Sequence, residues 1–488
     1  MTRLTRRDVL KATAAASTIF PLFTVAGTRA SGQVVGANNR LRIGVAGING
    51  RGISHIDEYV RMPDVEVACL IDPDRRLFRG TSRRIAERAH TEPKCVQDIR
   101  VALEDKSLDA ISVATCNHWH ALITVWACQA GKHVYVEKPI SHNLFEGRQC
   151  VEAARRYQRI VQHGTQQRSD PNRARQMAAI RSGKYGKLLV SKGYCCKPRW
   201  SIGFKPWAQP PADFDFDLWL GPAPLQPYHE NLHPYNWHWF WDFGNGDTGN
   251  QGVHEMDVAR WAIPNATLPT KVWSVGGRYV PEGRDQGQTP NMQLSVYEFG
   301  ETLLVFETRG LVDKPGAPPF KVANEFYTTE GVVRYDTWEV DGKQTTDFRF
   351  HPQDGSEPQL LTGGEAEVTP GGAFGSFVAA VRSGDPAQNN CDAEVAHYSA
   401  ALCHLGNIAC RLGQPLQFQQ PPVPLAAHAQ VAESLGILDE NLRSAKIELA
   451  SYNVLEFVPA TEKFVSDQQA NSLLTRWYRA PFVVPETV

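Results

Sequence analysis

The sequence predicts an N-terminal α/β domain with a doubly wound parallel sheet, followed by an α+β domain with a large, mainly antiparallel open sheet. Two observations carry this. Up to about residue 164, short apolar strands alternate with helical stretches, the pattern of parallel strands joined by crossover helices. Beyond that point strands follow one another across tight turns, the pattern of antiparallel pairing. With 488 residues and 42% hydrophobic content, the chain can fill both cores.

The first 30 residues read as a leader, not as fold. Thr5-Arg6-Arg7-Asp8-Val9-Leu10-Lys11 is a twin-arginine pattern, an Ala-rich apolar stretch runs from Ala12 to Val25, and Thr28-Arg29-Ala30 offers a small-residue cleavage site. The expectation is export by the twin-arginine machinery, with the periplasm as destination. The apolar run is too short to span a bilayer comfortably, and no later segment reaches that length, so no stable membrane insertion is expected after processing. A buried N-terminal helix, or an uncleaved or lipid-anchored form, is the alternative.

The parallel strands are placed at residues 41–47, 65–71, 110–114, 134–136 and 160–163, with helices at 77–88, 120–130 and 144–156 between them. They define a first domain over residues 38–163, with right-handed crossovers. The second domain, residues 164–415, starts with a helix at 172–182 and a strand at 187–194. Strands at 271–280, 292–299, 302–309, 325–329 and 332–335 follow, with hairpin turns at Phe299-Gly300-Glu301 and Thr329-Glu330-Gly331. Helices at 374–382 and 393–412 close it. A proline-rich connector from Gln414 to Pro424 leads into an extension, residues 416–488, read as an appended arm.

Bulk charge excludes some partners. Lys+Arg 51 against Asp+Glu 52 gives a net charge of −1, so no basic field exists to hold nucleic acid. The 10 cysteines show no Cys-x-x-Cys spacing, and Cys69, Cys116 and Cys128 lie in apolar runs that suit core positions. An oxidising destination permits disulfides without specifying their pairing. His118, His120 and His133 do not have the spacing of a metal site, and no metal is expected.

The first strand runs into Gly47-Ile48-Asn49-Gly50-Arg51-Gly52. Gly47 and Gly52 match the first and third glycines of the Rossmann fingerprint Gly-x-Gly-x-x-Gly. Asn49 stands at the second, where the backbone approaches a pyrophosphate. Asn tolerates left-handed conformations, and Gly50 beside it relieves crowding. Amides at the start of the next helix, from Arg51 on, would hold the phosphates. Asp72 ends the second strand, where a carboxylate accepts hydrogen bonds from the adenosine ribose and repels a 2′-phosphate. The expected cofactor is therefore NAD, with NADP kept open by Arg75 and Arg76. Asp72 also reads as a turn residue in Asp72-Pro73-Asp74.

Three further segments narrow the reading. Val113-Ala114-Thr115-Cys116-Asn117-His118-Trp119-His120 follows the third strand placed above, and Val136-Glu137-Lys138-Pro139 ends the fourth. Gly249-Asn250-Gln251-Gly252-Val253-His254-Glu255-Met256-Asp257 lies in the second domain. In combination, these resemble the glucose–fructose oxidoreductase and inositol dehydrogenase family, Gfo/Idh/MocA, over roughly residues 40–415. The resemblance implies that Glu137, Lys138 and Pro139 are the family's Glu-Lys-Pro, with a lysine that contacts substrate and cofactor and a proline that is often cis. It implies that His254 is the catalytic histidine, Asp257 the acidic residue one turn on, and Thr115, Asn117 and His120 the nicotinamide side. The family's aspartate four residues before the histidine is Asn250 here, which removes a carboxylate from any proton relay but can still bond a hydroxyl group.

The residues agree with that chemistry. Oxidising a secondary alcohol needs a base and a hydride acceptor. His254 titrates near neutrality when unperturbed, and Lys138 can stabilise an alkoxide or share the proton if burial lowers it. As structural alternatives, His254 could start a helix, Lys138 lie at the surface, His120 cap or pack, and Asp257 form an ordinary salt bridge. Tyr235-Asn236-Trp237-His238-Trp239-Phe240-Trp241-Asp242-Phe243, with Trp200, Trp207 and Trp219, suits either a sugar-stacking rim or packing between domains. Asp257, Asn250, His120 and Trp237 are the substrate-binding candidates. The leading function is oxidation of a sugar or polyol hydroxyl by tightly bound NAD. The second is a glycoside hydrolase or lyase that oxidises the ring transiently, and the third a non-catalytic sugar-binding protein. The open sheet of the second domain is expected to support a homo-oligomer.

Overall fold

The computed structural model describes residues 40–280, 283–314, 321–340, 342–417 and 427–488. The segment read as a twin-arginine leader, with its expected cleavage site, lies outside them. Ten of the sequence's cysteines are described and all are free thiols, with Cys69 and Cys128 buried in the core and Cys116 half-buried.

The first sheet has six parallel strands: β1 (Leu41–Ala46), β2 (Val65–Ile71), β3 (Lys94–Val96), β4 (Ala110–Val113), β5 (His133–Val136) and β6 (Val161–His163), in the order β3-β2-β1-β4-β5-β6. β1, β2 and β4 are nearly continuous apolar runs because helices cover both faces of the sheet. The helix Asn117–Gln129 is buried on almost every side, which explains its run of apolar residues and weak amphipathic pattern. β3 was not expected from the sequence. Its three residues, Lys94-Cys95-Val96, carry little apolar signal and pair only at the edge, with β2.

The second sheet has 11 strands. They are β7 (Leu188–Cys196), β8 (Lys271–Gly277), β9 (Met292–Phe299), β10 (Thr302–Arg309), β11 (Lys321–Thr328), β12 (Gly331–Val340), β13 (Lys343–Pro352), β14 (Gln359–Leu360), β15 (Gln414–Gln417), β16 (Leu449–Val458) and β17 (Lys463–Phe464). The path is β14-β13-β12-β11-β7-β10-β9-β8-β16-β15, with β17 on β16. Among the described strands of this second sheet, only β10–β7 pairs parallel. The hairpin at Gly300 closes as expected, with Phe299 opposite Thr302 and Gly300 at φ 63°.

The helices Val253–Trp261 and Ala393–Arg411 pack on one face of this sheet, through Val253, Met256, Leu402 and Leu405 against Tyr297, Leu304 and Phe306. The helix Ala429–Ser444 covers part of the other face, through Val431, Leu435, Leu438 and Leu442 against Val190, Trp273 and Leu294. The C-terminal segment therefore belongs to the sheet: β16 bridges β8 and β15. No helix among the described residues is long and apolar enough to cross a membrane.

Candidate active site

The strand order of the first sheet reverses between β1 and β4, so the loops after these strands diverge and leave a crevice at their carboxyl ends. Its volume is about 440 Å³. Gly47 sits at φ 79°, and a Cβ there would lie 2.6 Å from the Ala114 carbonyl oxygen, so the β1 and β4 loops touch only because residue 47 has no side chain. Gly52 does not line the crevice. A Cβ on it would lie 1.8 Å from the Gly47 carbonyl oxygen, so it lets the helix Arg51–Val60 pack against the loop. The left-handed conformation expected of Asn49 falls on Gly50, at φ 45°, while the Asn49 side chain accepts a hydrogen bond from the Gly50 amide at 3.0 Å.

Asp72 satisfies both of its readings. Its carboxylate accepts from the Ile48 amide and from the Asp74 amide, each at 2.9 Å, and so organises the turn. It also lines the crevice, and burial raises its pKa to about 6. Arg76 is held by Asp74 at 2.6 Å and Arg75 donates to Gln97, so both guanidiniums are already engaged where a 2′-phosphate would need them. This loop, its helix start and this carboxylate fit a dinucleotide without that phosphate.

β5 delivers Glu137 and Lys138 to the crevice, and the Lys138–Pro139 bond is cis. Glu137 is 4% exposed and accepts from Arg51 Nε at 2.7 Å and His55 Nε2 at 3.1 Å. Against the cost of burial, His55 and Arg51 hold its carboxyl well below the usual range. Glu137 is thus an anchor that ties the glycine-loop helix to β5. His55, on which it rests, left no signal in the sequence.

Lys138 reaches across the domain boundary. Its Nζ donates to the Asn250 backbone oxygen at 2.6 Å and to Oδ1 at 3.2 Å. Burial lowers its pKa. Asn250 lines the crevice in a π-helical turn, Thr248–Gly252, that runs directly into the helix bearing His254. His254 is half-buried, is not among the residues lining the crevice, and its ring makes no hydrogen bond with another described residue. Burial, with the Lys138 ammonium, pushes it down to about 3. It is therefore neutral at pH 7, further from neutrality than expected.

Two expected substrate contacts are otherwise engaged. Asp257 is 1% exposed, accepts from Arg168 Nε at 2.9 Å through both oxygens and from Ser399 Oγ at 2.6 Å, and does not line the crevice. Its ion pair pins the helix to the chain after β6. His120 borders the crevice, but its Nδ1 faces the Pro139 carbonyl at 2.6 Å and its Nε2 the Thr115 carbonyl at 3.0 Å. A neutral ring donates to only one of them, and neither nitrogen is left for a substrate. Thr115 and Asn117 line the crevice as expected, with Asn117 Nδ2 donating to Asn245 Oδ1 at 3.2 Å.

The aromatic segment forms a strap over the crevice. Asp213 and Asp215 hydrogen-bond the β2 turn, through Arg75 N to Asp213 O and Asp215 N to Pro73 O, both at 2.9 Å. Phe214, Trp219, Trp237, Phe240 and Phe243 pack together as the strap's core. Core packing thus accounts for Trp219 and Trp237, whereas Trp207 is exposed. Trp237 lines the crevice, with its Nε1 donating to the Pro234 carbonyl and its ring stacked on His238 at 3.6 Å. Trp219, Tyr235 and His238, from the segment read as a sugar-stacking rim or as packing between domains, also line it, as does His233, which the sequence reading did not name.

Comparison with known proteins follows the same division. Residues 41–165 match the model of an oxidoreductase family with an NAD-binding Rossmann fold, and residues 187–274 match the model of that family's C-terminal alpha/beta domain. The scyllo-inositol 2-dehydrogenase (NAD(+)) of Bacillus subtilis is 29% identical over 157 residues, covering 32% of this chain and 44% of that protein. A glycosyl hydrolase family 109 protein of Shewanella pealeana is 24% identical, covering 37% of this chain and 41% of that protein. The chain thus spans less than half the length of these curated relatives. The WlbA dehydrogenase from Bordetella pertussis, solved with NADH and UDP-GlcNAcA, shares the fold at TM-score 0.54 and 15% identity, covering 74% of this chain and 94% of that one. A levoglucosan dehydrogenase solved with NADH and levoglucosan does so at TM-score 0.51 and 17% identity, covering 75% and 95%.

Proposed function

From the premise that matches to both domains support membership of the Gfo/Idh/MocA oxidoreductase family, we propose that the chain oxidises a secondary hydroxyl of a sugar or polyol with tightly bound NAD. The observation that carries this is the Lys138–Asn250 contact, which places a buried ammonium from the nucleotide domain beside the turn that presents His254. When bound, the nicotinamide supplies the hydride acceptor. Gly47, Asn49, Gly50, Arg51, Asp72, Thr115, Asn117 and Lys138 would hold it. Lys138 orients the hydroxyl and offsets the charge of a forming alkoxide. His254, neutral and without a hydrogen-bond partner, accepts the proton. Asn250 bonds a neighbouring hydroxyl, and Trp237 with Tyr235 walls the ring.

Retention of the cofactor is supported by the strap, which is hydrogen-bonded to the β2 turn beside the crevice. The twin-arginine leader supports export to the periplasm with the cofactor already bound, and the exposed part of the large sheet supports a homo-oligomer.

A second reading has its own support. The curated relatives include glycosyl hydrolase family 109 proteins, and a retained cofactor suits a hydrolase or lyase that oxidises the ring and then restores it. One experiment tests both. The mature protein is purified, denatured and assayed for released NAD and NADP, then the intact protein is tested on a panel of sugars, polyols and glycosides. Net NADH, or dependence on a second substrate, supports the dehydrogenase. Glycoside cleavage with no net redox change supports the second reading. Absence of nucleotide, with no binding on addition, refutes both.

A further inference from the structure

A second cavity, of about 270 Å³, lies where residues 472–477 of the C-terminal segment meet the helix Ala393–Arg411 and the end of the strap. Asn245 separates it from the crevice: Oδ1 accepts from Asn117 on the crevice side, and Nδ2 donates to the His142 carbonyl at 2.9 Å.

The hydrogen-bonding capacity left open around this cavity is of one kind. Arg476 Nη1 donates to the Asp242 carbonyl and to Nδ1 of His142, each at 3.0 Å, and its buried Nη2 has no acceptor. A ring nitrogen that accepts from a guanidinium carries no proton, so the proton of His142 is on Nε2. That Nε2 is buried and also without a partner, in a ring 9% exposed and held neutral by its burial and by Arg476. Arg411 has no hydrogen-bond acceptor among the described residues and rests 4.6 Å from the centroid of the Trp241 ring. Of the acids nearby, Asp242 lines the cavity and its charge acts on Arg411, while Glu146 is fully covered. Asp242 Oδ2 accepts from Gln226 at 3.0 Å, and Glu146 beneath the cavity accepts from the His142 amide at 2.9 Å and the Tyr478 hydroxyl at 3.2 Å.

Three open donors, two of them guanidinium groups, call for an acceptor-rich partner, and guanidiniums match the geometry of carboxylate and phosphate. We propose that this cavity binds the oxyanion of a small acidic molecule, carboxylate or phosphate, with Arg476, Arg411 and His142 as donors. The space is many times the roughly 10–15 Å³ that one water needs on the same measure. Trp241 and the exposed Trp477 line it, so the oxyanion rides on a ring-sized body such as a uronate or a sugar phosphate. The inference does not depend on what the crevice holds.

Isothermal titration of the full chain with glucuronate, glucose 6-phosphate, inorganic phosphate and neutral glucose tests it. At least one anion is expected to bind with one-to-one stoichiometry, and Arg411→Gln and Arg476→Gln to weaken it about tenfold or more. Glucose is not expected to bind here. The Arg411 guanidinium makes no hydrogen bond with another described residue, so Arg411→Gln keeps the test valid if Arg476→Gln unfolds. An anion bound in the crevice would not respond to Arg411→Gln. Glucuronate or glucose 6-phosphate as the tighter ligand identifies the source, and phosphate alone with the same arginine dependence assigns a free-phosphate site. Failure of all three anions to bind, or binding indifferent to both substitutions, overturns the proposal.

Discussion

Asp257→Asn separates a residue that touches substrate from one that holds a helix in place. Asp257 is 1% exposed and shares both carboxylate oxygens with Arg168 at 2.9 Å, while Arg168 is itself only 8% exposed and stacks on Trp261 at 4.7 Å. The amide can still accept from Ser399, so the loss is mainly the charge, which leaves a buried guanidinium without its counter-ion. Breaking one side of a buried pair costs about 3–5 kcal/mol. Burial is nearly complete here, so solvent offers little screening and the full range applies. Urea unfolding followed by circular dichroism should show a stability loss of that size in the second domain, with bound nucleotide unchanged. The double variant Asp257→Leu with Arg168→Met should recover most of it, since removing both charges removes the desolvation they require. A single variant that stays as stable as the parent yet loses turnover would refute the reasoning and return Asp257 to the substrate.

Other expectations follow from the same geometry. Gly47→Ala forces a Cβ to within 2.6 Å of the Ala114 carbonyl at φ 79°; a strain of about 1–3 kcal/mol should leave the protein folded but cut co-purified nucleotide about tenfold or more, read by absorbance after denaturation. Lys138→Met should lower kcat/KM by about 10²–10³, measured per nucleotide bound. It should also move the acid limb of the residual activity upward, because the ammonium that depresses His254 is gone. Stability should fall steeply in acid. Burial pushes His118 down to about 3, His163 to about 4 and His404 to about 3. Each contributes stability above an unfolded pKa near 6.5 that is lost as pH falls toward 3, about 2 kcal/mol per histidine at pH 5, measured as the urea midpoint between pH 7 and pH 4.

The strands that the sequence made legible are those buried on both faces or closed by a tight turn. β1, β2, β9 and β10 are of this kind, and their apolar runs or flanking glycines match what the sheets require. β13 and β16 were missed because edge strands and partly covered strands mix polar residues into the pattern, as in Lys343–Pro352. The arm after residue 416 read as an appendage because its strand signal has meaning only opposite β8, far away in sequence. The site divides similarly. Glycines, Asp72 and Lys138 are visible because local backbone chemistry demands them. Arg168 against Asp257, His55 against Glu137 and the carbonyls that engage His120 are pairings across the fold, and no local pattern encodes them.

The placement of Lys138 and His254 bears on where the substrate's proton goes. Burial lowers both groups, and each cation disfavours the other, so the pair does not hold two protons at neutral pH. Burial and Arg51 disfavour the charge of Lys138, whereas Glu137, Glu255 and Asp247 favour it, and the Asn250 carbonyl accepts from its Nζ at 2.6 Å. His254 has no such acceptor and stays neutral. A base depressed to about 3 is weak in the resting site, but in the proposed reaction the alkoxide formed when it takes the proton would be an anion facing two cations. That anion raises the basicity of His254 as the reaction proceeds, and nothing comparable acts in the resting state. Asn250 suits this proposed arrangement better than a carboxylate at that position would. A carboxylate there would pair with Lys138 permanently and weaken its pull on the alkoxide, whereas a neutral amide holds the ammonium in position and leaves its charge available.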